Sequence, residues 1–347
     1  MESLAHHHLS KGAILADDGI PQQFGEPAAE YAAALTGAAL FDRSHEARLR
    51  LDGDDRYPFL QRISTNDVLK LRAGTGCATI FTNPNGRVID RIEVYAGESY
   101  TMLTGGPGRA EPLLRYLQRN IFFRDKVKVS DMTAATRQFA LHGPLAAELI
   151  EKIAPGTRLL PLHSYHAAEI DGTQVMIARA KPISGDHFRL IMAGDGAIGV
   201  WDALKALGTV PAGSQTYNVL RIRAGLPAAG RELSEDYIPL ELGLWDEVSF
   251  AKGCYTGQEI IARMESRGKL AKTLVSVQLD SAADSPIDIL IDGKRAGTLT
   301  SAATAPDGIH YAIGLLKPDL AVPGTRAVTA AGVGLVVTGL PGAQPPG

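Results

Sequence analysis

Cysteine, long apolar runs and net positive charge are all scarce in this sequence. Only Cys77 and Cys254 are present, far apart, which excludes a disulfide framework and a zinc site built from cysteines alone. No stretch approaches the roughly 20 apolar residues of a membrane span, and the amino terminus lacks the charged and apolar segments of a secretory signal. The formal net charge of -3 offers no basic field for nucleic acid. We therefore expect a cytoplasmic protein that contacts neither a membrane nor nucleic acid directly.

The composition is that of an ordinary folded protein. Apolar residues make up 45% of the chain and charged residues 21%, close to average usage. A chain of 347 residues is too long for one hydrophobic core, so two or three packed units are expected. His6, His7 and His8 could chelate a metal, but adjacent histidines in a mobile terminus are more often incidental, and no metal site is predicted.

The order of helical and strand patterns predicts an α+β fold with largely antiparallel sheets. The strongest hairpin signal is the turn Asn83-Pro84-Asn85-Gly86. After Lys269 the sequence changes to short β-rich runs, such as 273–279 and 287–291, separated by Gly, Pro and Asp. This part predicts a small β-barrel, followed from Gly339 by a loose tail.

The densest motif is Lys252-Gly253-Cys254-Tyr255-Thr256-Gly257-Gln258-Glu259, which precedes an apolar segment containing Arg263. Thr256 and Glu259 have the spacing of a capping box, which predicts a helix starting after Thr256. Cys254 would then lie just before a helix amino terminus, where the helix dipole and the nearby Lys252 favour a thiolate. Gly253 and Gly257 permit unusual dihedral angles or the close approach of a ligand to the backbone. The pattern indicates a reactive or ligand-forming thiol on a tight loop.

A purely structural interpretation of the same residues stays open. In it, Cys254 is a small buried apolar residue, Glu259 is only a helix cap and Lys252 is a surface residue whose stem covers apolar groups.

The motif from Lys252 to Glu259 resembles the signature of the YgfZ family, folate-dependent proteins related to the T-protein of glycine cleavage and to a mitochondrial iron-sulfur assembly factor. Landmarks that resemble the wider aminomethyltransferase (GcvT) superfamily occur in order at Leu40 to Asp42 with Ser44, Thr65 to Val68, Asn85 to Asp90, His142 to Pro144, Leu220-Arg221, Gly225 to Pro227 and Gly297 to Ser301. The resemblance implies a ring of three domains around a folate site. Residues 10–268 would form two interwoven α+β domains, the second roughly 52–130, and residues 269–342 the carboxy-terminal barrel.

The resemblance also shows where this chain departs from true transferases. Two adjacent acidic residues of the transferases correspond to Asp90-Arg91, an asparagine that touches folate corresponds to Thr104, and a glutamate that holds the pterin corresponds to the region ending in Arg189. Replacing carboxylate by guanidinium would lower transfer activity by orders of magnitude. We therefore expect little aminomethyl transfer.

Folate binding is still expected, because arginines suit the carboxylates of the glutamate tail. Arg221 is the first candidate for that tail, followed by Arg189 and Arg91, while Asp90 is a candidate for the pterin nitrogens; each could instead form an ordinary ion pair or cap.

The resemblance implies a monomeric accessory protein that binds tetrahydrofolate or a derivative and supports iron-sulfur cluster assembly or repair and, through it, tRNA modification. Cys254 with Lys252 would perform the chemistry, with iron-sulfur proteins or assembly factors as partners and a cluster bound at most transiently, since two cysteines cannot hold one. The alternative is a tetrahydrofolate-dependent aminomethyltransferase or another one-carbon transferase.

Overall fold

The structure, a computed structural model, describes residues 3–343. Its strands are β1 (Ala13–Leu15), β2 (Pro21–Phe24), β3 (Ala39–Asp42), β4 (Glu46–Asp52), β5 (Gly76–Thr82), β6 (Val88–Ala96), β7 (Tyr100–Pro107), β8 (Lys128–Asp131), β9 (Thr136–Gly143), β10 (Tyr165–Ile170), β11 (Thr173–Arg179), β12 (Asp186–Ala193), β13 (Val210–Ala212), β14 (Thr273–Leu279), β15 (Ile287–Ile291), β16 (Lys294–Thr304), β17 (His310–Leu316), β18 (Arg326–Thr329) and β19 (Gly334–Gly339).

The α-helices are α1 (Leu4–Ser10), α2 (Pro27–Thr36), α3 (Arg56–Ile63), α4 (Ala110–Asn120), α5 (Ala146–Ile153), α6 (Ala197–Ala206), α7 (Ser214–Arg223) and α8 (Gln258–Arg267), with short 3-10 helices at Val68–Lys70, Gly194–Gly196, Pro239–Leu242, Trp245–Glu247 and Pro318–Leu320. None of the helices in residues 3–343 has the length and apolar character needed to cross a membrane.

The chain forms two compact units, neither of which is one continuous segment. Unit 1 comprises Met1–Leu60, Val68–Ala78 and Ile92–Tyr217, and unit 2 comprises Gln61–Asp67, Thr79–Arg91 and Asn218–Gly347. The domain boundaries expected from the family resemblance stay a prediction.

Unit 1 contains a six-stranded sheet of order β10-β11-β12-β9-β3-β13. Neighbouring strands in this sheet are antiparallel, except for β13 and β3, which are parallel. Apolar side chains of β9 and β12, such as Phe139 and Phe188, pack against Ile150 of α5 and Trp201 of α6. These helices bury one apolar face each, as their spacing of apolar residues requires.

Two of the three amino-terminal histidines are buried in unit 1, and none lies in a mobile end. They lie in α1, where His7 and His8 are buried. The His8 Nε2 atom is 3.0 Å from a carboxylate oxygen of Asp42, and its ring packs edge-on against Trp201. The expectation that these histidines lie in a mobile terminus is therefore wrong, and the absence of a metal role stays a prediction.

A second sheet, of order β5-β6-β7-β4-β8, is antiparallel where β6 meets β7 and where β4 meets β7 and β8. β4, β7 and β8 belong to unit 1, whereas β5 and β6 each continue from one unit into the other. The turn predicted at Asn83 to Gly86 connects β5 and β6, with the Gly86 amide donating to the Asn83 carbonyl at 2.9 Å.

Unit 2 contains the closed six-stranded barrel β14-β17-β16-β15-β18-β19, which encloses Val275, Leu299 and Val337. The predicted α+β class, antiparallel sheets and carboxy-terminal barrel are confirmed, and β14 and β15 have the predicted bounds. The predicted tail is wrong at its start, because Gly339 ends β19 and the Ala343 amide donates to the Gly243 carbonyl at 2.8 Å. The rest of that tail, residues 344–347, lies outside the described residues.

Candidate functional site

The segment Lys252 to Glu259 of unit 2, here called the thiol loop, is fastened by Lys252. Its side chain is buried, and its ammonium group donates to the carbonyl oxygens of Gln61, Ser64 and Asn66 at 2.7, 2.6 and 2.9 Å. Three carbonyls match the three N–H donors of an ammonium group. Lys252 thus acts as a structural clamp, and its interpretation as a surface residue is wrong, whereas its predicted effect on the Cys254 thiol stays a prediction.

Gly257 brings the loop against the β5–β6 turn. Its φ of +83° is left-handed, and an added Cβ would lie 2.5 Å from the Asn83 carbonyl oxygen and 2.8 Å from the Gly86 Cα. The unusual dihedral angle that glycine permits is present at Gly257, whereas the close approach of a ligand stays a prediction. Gly253 is exposed and has open space where a side chain would be.

The predicted capping box does not form. Gly257 occupies the N-cap position of α8 without a side-chain cap, and Gln258 is the first helical residue. Glu259 is then the second residue of the helix rather than the third, so it cannot complete the reciprocal pair with Thr256. Instead, its carboxylate pairs with Arg263 at 2.7 Å on the exposed side of α8.

Between these anchors, the loop buries Tyr255 and exposes Cys254. Tyr255 packs with Ile238, Val248 and Ile261, and burial raises the pKa of its hydroxyl to about 12. The interpretation of Cys254 as a small buried residue is wrong. Within residues 3–343, no three or more His, Cys, Asp or Glu side chains are grouped so that they could hold a metal ion.

Arg91, also in unit 2, is held by a carboxylate that the sequence did not suggest. Its guanidinium donates to both carboxylate oxygens of Glu247 at 2.7 to 2.9 Å, and Glu247 is buried. Glu247 belongs to the 3-10 helix Trp245–Glu247, and its backbone carbonyl accepts a hydrogen bond from the Thr65 hydroxyl at 2.8 Å. Asp90 is also buried and accepts a hydrogen bond from the Arg91 amide at 2.9 Å.

Arg221 lies in a buried polar network of unit 2. Its guanidinium donates to Asn218 Oδ1 and Ser301 Oγ, both at 3.0 Å, and lies 3.4 Å from a carboxylate oxygen of Glu232. Glu232 also accepts hydrogen bonds from the hydroxyls of Thr300 and Ser301, at 2.6 and 2.7 Å. Arg221 therefore ties α7 to the barrel strand β16.

Arg189 of unit 1 lies in a group of buried charges, here called the ionic cluster, formed by Arg43, Glu46, Glu93, Tyr95 and Arg189. Arg189 donates to the Glu93 carboxylate and to the Tyr95 hydroxyl, and its guanidinium is 3.8 Å from Glu46. Burial alone would lower the pKa of Arg189, but Glu93 raises it well above its usual value. Burial likewise opposes ionisation of Glu46, yet Arg43 and Arg189 hold its pKa below its usual range. The opposite charges of Glu46 and Arg189 therefore support each other's ionised form.

Thr104 lies beside this cluster by strand register, since it pairs with Glu93 across β6 and β7. Its hydroxyl is buried and has no hydrogen-bond partner among the described residues. Strand sequence alone could have indicated Glu93, because it is an acidic residue inside the otherwise largely apolar run of β6.

Two stacked histidines also belong to unit 1. The rings of His142 and His187 are 3.8 Å apart and nearly parallel, and both are buried. Burial lowers the pKa of His187 to about 4, and burial together with His187 lowers the pKa of His142 well below its usual value. Both rings are thus neutral near pH 7.

Comparison with known proteins gives a consistent result. The family described as the GCVT N-terminal domain matches residues 6–252. A chloroplastic protein of Arabidopsis thaliana, named as a candidate transferase, is 33% identical over 95% of this chain and 77% of its own length. The aminomethyltransferase of Rubrobacter xylanophilus is 32% identical over 90% of this chain and 85% of its own length.

A solved structure has the same fold. The glycine cleavage system aminomethyltransferase T from Bartonella henselae superposes with a TM-score of 0.86, covering 98% of this chain and 97% of that chain at 21% identity. At that identity the likeness concerns the fold alone. Because the family match spans most of the sequence and the plant relative aligns along nearly all of it, the chain belongs to the GcvT family.

Proposed function

We propose that this protein binds tetrahydrofolate or a derivative in the cytoplasm and acts as an accessory protein of the YgfZ type. In that role it supports iron-sulfur cluster assembly or repair and, through it, tRNA modification. The observation that carries the proposal is the thiol loop, which exposes Cys254 between two buried anchors, Lys252 and Tyr255.

The anchoring gives the exposed thiol a fixed position. The ammonium of Lys252 and the contact of Gly257 with the β5–β6 turn hold the backbone on both sides of Cys254. A thiol on such a loop is suited to contact with a partner protein. One thiolate cannot hold a conventional cluster, so any cluster contact is transient and is shared with an iron-sulfur protein or assembly factor.

The arginines that replace transferase carboxylates support an accessory role. Arg91 is held by Glu247, and Arg189 by Glu93. Neither supplies a carboxylate to a reacting folate nitrogen, which is the group that aminomethyl transfer calls for.

The remaining polar groups suit folate in part. The Thr104 hydroxyl has no hydrogen-bond partner within residues 3–343, and Asp90 is a buried carboxylate; both groups are able to hydrogen bond a pterin. Arg221, proposed for the glutamate tail, is 8% exposed and already contacts Glu232, so a tail carboxylate would have to compete with that residue.

The decisive experiment separates folate binding from the action of the thiol. Cells that lack the protein would receive wild type, Cys254→Ala or Cys77→Ala, and the activities of iron-sulfur enzymes would be measured, with tetrahydrofolate binding to each purified protein measured by fluorescence. We expect Cys254→Ala to bind folate normally without restoring the enzymes, and Cys77→Ala to restore them. Full restoration by Cys254→Ala would refute the role of the thiol.

Aminomethyl transfer is the second candidate, favoured by the several relatives named as aminomethyltransferases and by the buried Asp90. Purified protein would be mixed with tetrahydrofolate and an aminomethyl-loaded lipoyl carrier, and methylene-tetrahydrofolate and ammonia followed. We expect binding without turnover. Release of both products at an ordinary enzymatic rate, typically about 10 per second, would establish the transferase instead.

A further inference from the structure

Unit 2 contains a cavity of about 280 Å³ at the carboxy-terminal end of α8. The space corresponds to roughly nine water molecules at about 30 Å³ each, which is near the lower limit for small-molecule pockets. Its walls are largely apolar and include Leu240, Trp245, Met264, Leu270, Leu274 and Pro341. Such a cavity suits a single aromatic ring or a short aliphatic chain.

The charged residue and the helix dipole at this cavity are both negative. Among the lining residues within 3–343, Glu265, which is exposed, is the one of a charged type, and Thr273 is of a hydroxyl type. Gly268, which caps α8, also lines the cavity, so the partial negative charge of the helix carboxyl end lies at the same place. Arg267 and Lys269 flank Gly268 in sequence but do not line the cavity. An ammonium group would be favoured here and a carboxylate disfavoured.

We propose that this cavity binds a small amine, whose apolar ring or chain packs against Trp245 and Met264 and whose ammonium group pairs with Glu265. The site is separate from the thiol loop, since no residue from Lys252 to Glu259 lines it. The inference therefore does not depend on folate binding or on Cys254.

Three probes of matched size would test the proposal on the full chain. Benzylamine, benzyl alcohol and benzoate share one ring, differ in charge, and are each small enough to enter the cavity. The readout is the indole N–H signal of Trp245 in a nitrogen-15 NMR spectrum. Trp201, the other tryptophan, lies in the core of unit 1 and serves as an internal reference.

We expect benzylamine to shift the Trp245 signal with a Kd on the order of 1 mM, a value usual for ligands of this size. Benzyl alcohol should bind several-fold more weakly and benzoate most weakly, while the Trp201 signal stays constant. No saturable shift with benzylamine, or equal affinity for the three probes, would overturn the proposal.

Two substitutions locate the site. Met264→Trp should fill the cavity and abolish the binding of benzylamine and benzyl alcohol. Glu265→Gln should weaken benzylamine about 2- to 5-fold, the effect of an exposed ion pair, and leave benzyl alcohol unchanged. Glu259→Gln, the same change on the same helix outside the cavity, is the matched control and should alter neither affinity. Equal effects of Glu265→Gln and Glu259→Gln on benzylamine would refute the assignment of the ammonium to Glu265.

Discussion

The ionic cluster of unit 1 and the thiol loop of unit 2 each bury a cation, but they satisfy it differently. Arg189 is balanced by carboxylates, Glu93 and the more distant Glu46. Lys252 instead donates to the carbonyl oxygens of three residues between Gln61 and Asn66. The first arrangement neutralises charge, whereas the second uses charge to hold two backbone segments together. Loss of the cation should therefore leave a buried anion in one case and remove a shared donor from three carbonyls in the other.

Removing one partner of the ionic cluster should have the largest effect. Arg189→Met leaves Glu93 buried without its cation, and we expect a loss of about 4 kcal/mol in the free energy of unfolding, measured with urea. The double variant Glu93→Leu with Arg189→Met removes both charges and should recover most of that loss. A double variant no more stable than the single one would show that the pair itself, rather than charge balance, stabilises the unit.

The control for the loss of a buried cation is a substitution in an exposed ion pair on α5. Glu148 and Lys152 are 3.2 Å apart, and each side chain is more than half exposed. Lys152→Met should leave the urea midpoint unchanged within error, because exposed pairs contribute little.

Loss of the clamp should be the next largest effect. Lys252→Met removes three hydrogen bonds from a buried ammonium to backbone carbonyls, which we expect to lower the free energy of unfolding by about 3 kcal/mol. Lys252→Arg should not restore it, since a planar guanidinium does not match three converging acceptors. Lys269→Met, at an exposed position, is the control. Wild-type stability of Lys252→Met would contradict the clamp.

The stacked histidines predict a pH effect confined to unit 1. Because the folded-state pKa of His187 is about 4, the unfolded chain binds a proton that the folded protein excludes between about pH 6.5 and pH 4. The free energy of unfolding should therefore decrease as the pH is lowered from about 6.5 to about 4, by about 1.4 kcal/mol per pH unit for this residue. His187→Phe should make the slope shallower by that amount in urea titrations at successive pH values. Identical slopes would show that the ring is protonated in the folded protein.

Cys254 should show the smallest effect on stability. The residue is exposed, so Cys254→Ser should leave the urea midpoint unchanged within error. In the native protein, a maleimide should modify Cys254 faster than the half-buried Cys77, and in urea both at similar rates. Slow native labelling of Cys254 would indicate that the loop is covered.

The predictions from sequence succeeded where the signals are local. β14 and β15 begin and end where alternating apolar residues give way to turn residues, and the hairpin turn ends at Gly86. The α8 start was predicted one residue early, because nothing in the sequence states that Gly257 takes a left-handed conformation and displaces Thr256 from the cap.

The contacts of the candidate site could not be predicted in the same way. The partners of Lys252 are backbone carbonyls nearly 190 residues earlier in the chain. Because every residue has a backbone carbonyl, the sequence does not distinguish the ones that bind Lys252. The pairing of Arg91 with Glu247 likewise joins distant segments. The guanidinium of an arginine can bind either the carboxylates of a folate tail or the side chain of a glutamate residue. The sequence does not show which of these it contacts, and that contact decides its role.

The contact of Gly257 with Gly86 also has a consequence for the order in which the protein folds. The two residues lie roughly 170 positions apart in the sequence, and contacts of such separation close a large loop and form late in folding. During synthesis at about 5–20 residues per second, the β5–β6 turn emerges well before its partner. Cys254 thus acquires its final surroundings only when the later part of the chain has returned to the earlier one, and an incompletely folded molecule would not present the thiol in its native setting.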